Sequence, residues 1–489
     1  MGNIGNYILK RFPLGIFAKH VATMMTGSVF AGVIGIIVMP LLTRIYRPED
    51  FGIFTLYTSL LGVLAVVACW RYELAIVLPE RDEDAANLLL LCIIICLGMG
   101  LLTLILVALF HTSLANLLNA PELASWLWYL PLSLIAVGLY LSLNYWSTRR
   151  KHFKRLAIRQ MTQSGVTALT QIAGGGFCPT VNAGGLIGGA IAGQLTASGW
   201  LAWQIKKDEG MFIYNAINRS DFMRVVGRYK KFPLFDAWSG LLNTFSGMLP
   251  ALLLGYYFSP DIVGFYALGY LILHAPISVV GLSIAQVFFP HANEAKRNGQ
   301  LSQLTLKIFD RLLKIGLVPF LLLTIVAPDL FALIFGARWF TAGEYVRWLS
   351  VWLLFLSISS PLSSIYSIME KQKEALILNI VMFTSRLAVL VVGGVKGDAY
   401  LAIALFGIVG ALVCVYYCIY IMYLAGISIN TVLVTIFRYS LYGIPYVLVP
   451  IITYFITQSS QAFVLSGIAA GTTHFIVQIY WMKMTSGFA

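Results

Sequence analysis

Long apolar runs, one after another, constrain this chain more than any other feature. They cover 21–44, 52–78, 86–110, 125–147, 160–178, 182–205, 236–257, 262–287, 311–336, 344–369, 375–394, 400–424, 433–456 and 462–482. A helix rises about 1.5 Å per residue, so about 20 apolar residues cross a hydrocarbon core. The fourteen runs predict an all-α polytopic membrane protein with 14 transmembrane helices. Composition excludes a water-soluble globule. Hydrophobic residues make up 59% of the chain and charged residues 11%, with a mean hydropathy of +0.84; soluble domains carry about 25% charged residues. The first run, Val21 to Leu42, is span-length and lacks a small-x-small cleavage site, so no signal peptide is expected.

The net charge of +13 could suggest nucleic acid. The basic residues sit instead in short loops between runs, where they orient the chain in a membrane. No nucleic-acid partner is expected. With the N-terminus in the cytoplasm, 25 of the 33 lysines and arginines fall on the cytoplasmic face and 5 on the outer face. Arg71, Arg386 and Arg438 lie within spans. The loop "TRRKHFKRLAIR" (148–159) and the connection 206–231 carry most of the inside charge, whereas "PTVN" (179–182) and "QSSQ" (458–461) carry none. A miscounted span would flip the sign of every later loop, so the alternation favours fourteen spans with both termini cytoplasmic. Cys69, Cys92, Cys96, Cys414 and Cys418 lie within apolar runs and Cys178 at the end of one, without metal-ligand spacing. They read as small packing residues, and no metal site is expected.

The chain also repeats itself. "YRPEDFGIFTLY" (46–57) resembles "FSPDIVGFYALG" (258–269) at an offset of 212, matching Pro48 to Pro260, Gly52 to Gly264 and Phe54 to Tyr266. "KRFPL" (10–14) echoes "KKFPL" (230–234), and "LPERDEDA" (78–85) echoes "FPHANEAK" (289–296). Six spans per unit is an even number, so both copies enter the membrane the same way, about an axis along its normal. The predicted domains are an N-lobe over 1–205, a cytoplasmic linker over 206–235, a C-lobe over 236–424 and two trailing helices over 425–489. Within the linker, "SDFMRVVGRYKKFP" (220–233) reads as an interfacial amphipathic helix, capped by Ser220 or Asp221 and stopped before Pro233. Gly185, Gly189 and Gly193 read as a close-packing face, and Gly174 to Gly176 as a loosened end of span five.

Two parallel six-helix lobes with two trailing helices resemble the multidrug/oligosaccharidyl-lipid/polysaccharide (MOP) exporter superfamily. "PLLTRIYRPEDFGIFTLYTSL", "RYELAIVLPERDEDA" and "FGARWFTAGEYVRWLSVWLLFLSISSPLSSIYSIMEKQ" (335–372) are similar to the Wzx-type polysaccharide flippases of that superfamily. The resemblance implies a transporter rather than an enzyme. Its cargo would be undecaprenyl-diphosphate-linked oligosaccharide, moved from the cytoplasmic to the outer leaflet of a bacterial inner membrane for O-antigen, capsule or exopolysaccharide. It further implies a polymerase and a chain-length regulator of the same pathway as partners. No cofactor is implied beyond a proton or sodium gradient. Many members of that family have twelve spans; in the related lipid II flippases an extra C-terminal pair lines a groove for the lipid tail. Here the extra pair carries Arg438 and His474.

Charges inside the spans are the candidate site. Arg71 lies about eight residues, or about 12 Å, inside span two if that span ends at Pro79. Glu73 follows at i+2, about 200° around a continuous helix, so the two are not expected to pair. Arg386 lies near the midplane, where an arginine costs about 2.5–3.5 kcal/mol and needs water, an acid or carbonyls. Arg71 and Arg386 are the expected diphosphate-binding residues, and Glu73 and His274 the expected protonation sites. Arg44, Arg47 and Asp50, beside the outer end of span one, are expected either as a salt-bridged loop or as an outer gate. A drug/cation antiporter is the alternative, but it would want deep acids where this chain has Arg386. A membrane polymerase would want a large catalytic outer loop, and the longest outer connection, 111–124, has only Glu122 as an acid.

Overall fold

The computed structural model describes residues 16–177 and 182–486. The repeat element at 10–14, Cys178 and residues 179–181 of an outer connection lie outside the described residues. The chain divides into two compact units, Met1–Leu252 and Leu253–Ala489. The first holds α1 (Ile16–Ile45), α2 (Pro48–Val67), α3 (Tyr72–Ala75), α4 (Asp82–Leu117), α5 (Leu123–Leu127), α6 (Leu130–Arg149), α7 (Phe153–Phe177), α8 (Ala183–Ala216) and α9 (Arg219–Arg228). A π-helical turn, Phe232–Asp236, leads into α10 (Ala237–Tyr257), within which the unit boundary falls. The second unit holds α11 (Pro260–Arg297), α12 (Leu301–Phe335), α13 (Phe340–Leu362), α14 (Ser364–Ile368), α15 (Gln372–Val395), α16 (Ala399–Leu424), α17 (Ile429–Thr457) and α18 (Ser460–Ser486).

No strand occurs among the described residues. Backbone groups in hydrocarbon must bond within their own segment, which apolar runs of this length do as helices. The predicted spans fall on helices, span two being cut short after Val67, and eleven helices among the described residues are long and apolar enough to cross a membrane. α7, α8 and α11 occupy the other three positions. The first two are less apolar because they bury amides against one another: Gln163 Nε2 donates to Gln194 Oε1, and Gln171 Nε2 donates to the Leu186 carbonyl at 3.0 Å. Satisfied amides can sit at helix–helix contacts. Large apolar side chains point outward along α4, with Leu101 59% and Leu109 65% exposed. Water would penalise that surface and lipid does not, so the chain is a multi-pass membrane protein.

Helix starts preserve the internal repeat. α2 and α11 both open on a proline, Pro48 or Pro260, after an extended residue with ψ 162°. Proline lacks the N–H that a first helical residue leaves unpaired anyway. The copies then diverge. α11 runs on to Arg297, whereas its counterpart stops at Val67. Span two is therefore not one helix over 52–78. Trp70 and Arg71 adopt φ of +49° and +64°, a left-handed conformation that costs an L-residue about 1–2 kcal/mol. Arg71 thereby becomes the N-cap residue of the four-residue α3.

The residues predicted as a linker are pinned to the first unit. Asn87 Nδ2 donates to the Ala216 carbonyl at 2.9 Å, Arg224 pairs with Asp84, and the Tyr72 hydroxyl donates to the Val226 carbonyl. The cap of α9 is Asn218, whose side chain accepts from the Ser220 N–H at 3.1 Å, rather than Ser220 or Asp221. That helix ends at Arg228, ahead of Pro233. The glycine stripe of α8 packs as expected: a Cβ at Gly185, Gly189 or Gly193 would collide with Tyr46, Gln171 or Thr167. Gly174 to Gly176 are helical rather than loosened, and a Cβ at Gly175 would strike Ile45 and Tyr46.

Candidate functional site

In the first unit the helix break gathers charge. Turning left-handed at Trp70 and Arg71 redirects the chain, so the arginine side chain leaves the α2 axis. Arg71 Nε donates to Asp236 Oδ2 at 2.9 Å, and Arg71 Nη1 lies 4.0 Å from Glu73 Oε1. The expectation that residues 71 and 73 point apart fails because no continuous helix joins them. Gly240 makes room, since a Cβ there would lie 3.2 Å from Arg71 Nε, and Trp70 meets Trp238 edge-on at 6.5 Å. The Glu73 side chain is 2% exposed, and its Oε2 has no hydrogen-bond partner. Lying beyond the ends of α2 and α4, this carboxyl is pushed up to about 7 by burial. Asp236 adds to that rise and Arg71 opposes it. The cluster is an ion pair beside a carboxyl that changes charge near neutrality.

In the second unit Arg386 and His274 belong to one aromatic assembly. Tyr266, Tyr270 and His274 follow one face of α11, with ring centroids 5.8 and 5.0 Å apart and interplanar angles of 19° and 18°. Trp352 of α13 continues the stack from Tyr270 at 6.2 Å, and Phe406 of α16 stands edge-on to it. The Arg386 guanidinium, carried by α15, lies 4.7 Å from the Trp352 ring centroid and 5.8 Å from that of Phe406. Its Nε is buried without a hydrogen-bond partner, and no acid among the described residues pairs with it. Desolvated cation–π contacts contribute about 2 kcal/mol. Rings therefore offset much of the insertion cost for which the sequence suggested water, acids or carbonyls.

The third group splits by role. The Asp50 carboxylate is 7% exposed and accepts from the Arg47 backbone N–H at 2.8 Å, which caps the start of α2. Tyr46, next to Arg47, donates its hydroxyl to the Gln171 carbonyl at 2.6 Å. Arg44 and Arg47 bracket this joint between α1 and α2.

The protein-family comparison then supplies what geometry cannot. Residues 41–344 match the model described as "Polysaccharide biosynthesis protein". The chain belongs to this family. Among curated proteins none matches. The solved structure of the lipid II flippase MurJ, in an inward closed conformation, aligns with a TM-score of 0.72 at 14% identity, covering 94% of this chain and 99% of that one. An inward-facing multidrug resistance MATE family transporter of the MOP superfamily aligns with a TM-score of 0.56 at 16% identity, covering 83% of this chain and 96% of that one. At those identities the likeness concerns fold, and the fold of this polysaccharide biosynthesis protein is the helical one of MOP-superfamily transporters.

Several charged groups of this family member escaped the sequence reading. Asp236 follows "KKFPLF" at the start of the seventh apolar run, and nothing in that wording signals that it meets Arg71. Arg159 was counted among loop charges, yet it is 5% exposed and its guanidinium sits 3.4 Å from the Tyr140 ring centroid. Asp310 accepts from Arg438 Nη2 at 2.8 Å and from the Tyr439 hydroxyl at 2.8 Å. The acid inside "KIFDRLLK" was the signal available for it.

Proposed function

We propose that the chain is a flippase that moves undecaprenyl-diphosphate-linked oligosaccharide from the cytoplasmic to the outer leaflet of a bacterial inner membrane by alternating access. The family description and the fold support this reading. The observation that carries it is Arg386: a fixed cation within a membrane-spanning helix, held by aromatic rings and not neutralised by an acid among the described residues. A diphosphate needs such a cation once it leaves water. Arg71, only partly covered and shared with Asp236, is the second cation, near the membrane surface. Glu73 and His274 are the proposed protonation sites coupling transport to a gradient. Arg44, Arg47 and Asp50 are the proposed outer gate, in addition to the capping that Asp50 performs. Moving sugar hydroxyls through hydrocarbon without partners is prohibitive, so the glycan would travel in a hydrated passage. An antiporter of drug cations would want an acid where Arg386 stands.

In cells lacking the native gene, Arg71→Ala or Arg386→Ala should abolish outer-leaflet delivery of lipid-linked oligosaccharide while membrane protein level stays normal. Unchanged delivery removes that residue from the site.

A further inference from the structure

The second unit has a cavity of about 680 Å³ between the first turns of α12 and α17, with charged and amide groups set among apolar walls: Gln303, Lys307, Asp310, Asn430, Val434 and Arg438 line it with others. Its charges do not cancel. Asp310 is occupied, accepting from Arg438 at 2.8 Å and from the Tyr439 hydroxyl. Lys307 is exposed and enters no ion pair found among the described residues. Two cations thus face one carboxylate, and Gln303 and Asn430 add amide donors to the walls.

Depth tells which anion belongs there. Beside the cavity, α17 turns Leu433, Val434, Phe437 and Leu441 outward, each 48–67% exposed. Such a face suits lipid, so the cavity opens where the apolar lipid-facing surface begins. Arg438 lies about 14 Å along α17 from Ile429, flanked by those outward apolar residues, and its side chain is 63% exposed. A guanidinium at that boundary extends toward the headgroup layer, where phosphates are its partners. A water-borne anion would gain nothing from a site with Val434 in its wall and Phe437 beside it. We propose that this cavity binds the phosphate of an anionic phospholipid headgroup, with Lys307 and Arg438 as its cations. The site is independent of the transport reading above.

The full chain in neutral detergent would be titrated with phosphatidylglycerol or phosphatidylcholine while its thermal midpoint is followed. Phosphatidylglycerol should raise the wild-type midpoint by several degrees over phosphatidylcholine. Lys307→Gln should lose at least half of that difference, and Lys307→Gln with Arg438→Gln nearly all of it. Because removing Arg438 leaves Asp310 without its arginine, Asp310→Asn is added to the double variant as a folding control. Midpoints in phosphatidylcholine report whether each variant folds. Full retention of the phosphatidylglycerol effect in the folded double or triple variant overturns the proposal. Inorganic phosphate should leave the midpoint unchanged. If it reproduces the shift, the cavity is a free-phosphate site. If undecaprenyl diphosphate shifts the midpoint at lower concentration than phosphatidylglycerol, the cations serve cargo and the phospholipid assignment fails.

Discussion

Burial decides what Glu73 does. Its carboxyl is raised to about 7 from the ordinary 4.5, chiefly by desolvation. The folded state therefore holds a proton that the unfolded chain has already released between about pH 4.5 and 7, so stability falls as pH rises through that window. The difference corresponds to about 3 kcal/mol, fully lost above the folded value. Glu73→Gln keeps the neutral shape and removes the titration. Thermal midpoints in detergent at pH 5.5 and 8 should differ for wild type, the higher value being at pH 5.5, and should move closer together in the variant, which gains at pH 8. An undiminished pH dependence in Glu73→Gln would assign it to other groups. Arg386 teaches a different lesson. Depth in an apolar run was enough to mark Arg386 from the sequence. Its stabilisers were not legible, because Trp352 and Phe406 come from two other helices and are ordinary apolar-run residues until the helices pack.

Among the elements, periodicity and length located the spans, and local backbone chemistry decided where they break. Nothing in "CWRYELAIVLP" announces the left-handed pair Trp70–Arg71, since neither residue favours that conformation. That one missed turn is why residues 71 and 73 were expected on opposite sides. By contrast, the spacing of Gly185, Gly189 and Gly193 stated its own purpose, because a face without side chains is useful only where another backbone comes close. Gly189→Leu should lower the thermal midpoint of the purified protein markedly, overpacking costing about 1–3 kcal/mol. Gly188→Leu, with nothing within 4 Å of its Cβ position, should change it little. Equal effects of the two would mean that α7 and α8 do not pack as described.

At the scale of the whole molecule, duplication was readable in a handful of residues. Pro48 and Pro260 mark equivalent helix starts, and the family and fold comparisons agree with what the repeated wording resembled. The first unit holds the Arg71–Asp236 pair and the second the Arg386 assembly. The stretch 206–235 was expected to be a cytoplasmic linker rich in basic residues, with one interfacial helix. Its contacts to Asp84, Asn87 and Tyr72 could not be seen, because partners over a hundred residues apart in sequence leave no local trace.

Transport by this cation-bearing bundle is most directly tested in sealed proteoliposomes loaded on one leaflet with undecaprenyl-diphosphate-linked oligosaccharide, following the appearance of its glycan on the other leaflet with an impermeant glycosidase. Wild-type protein should make the glycan accessible well above protein-free vesicles, with Arg386→Ala reduced to that background at equal incorporation. Equal rates for wild type and protein-free vesicles, or full activity in Arg386→Ala, would contradict the account.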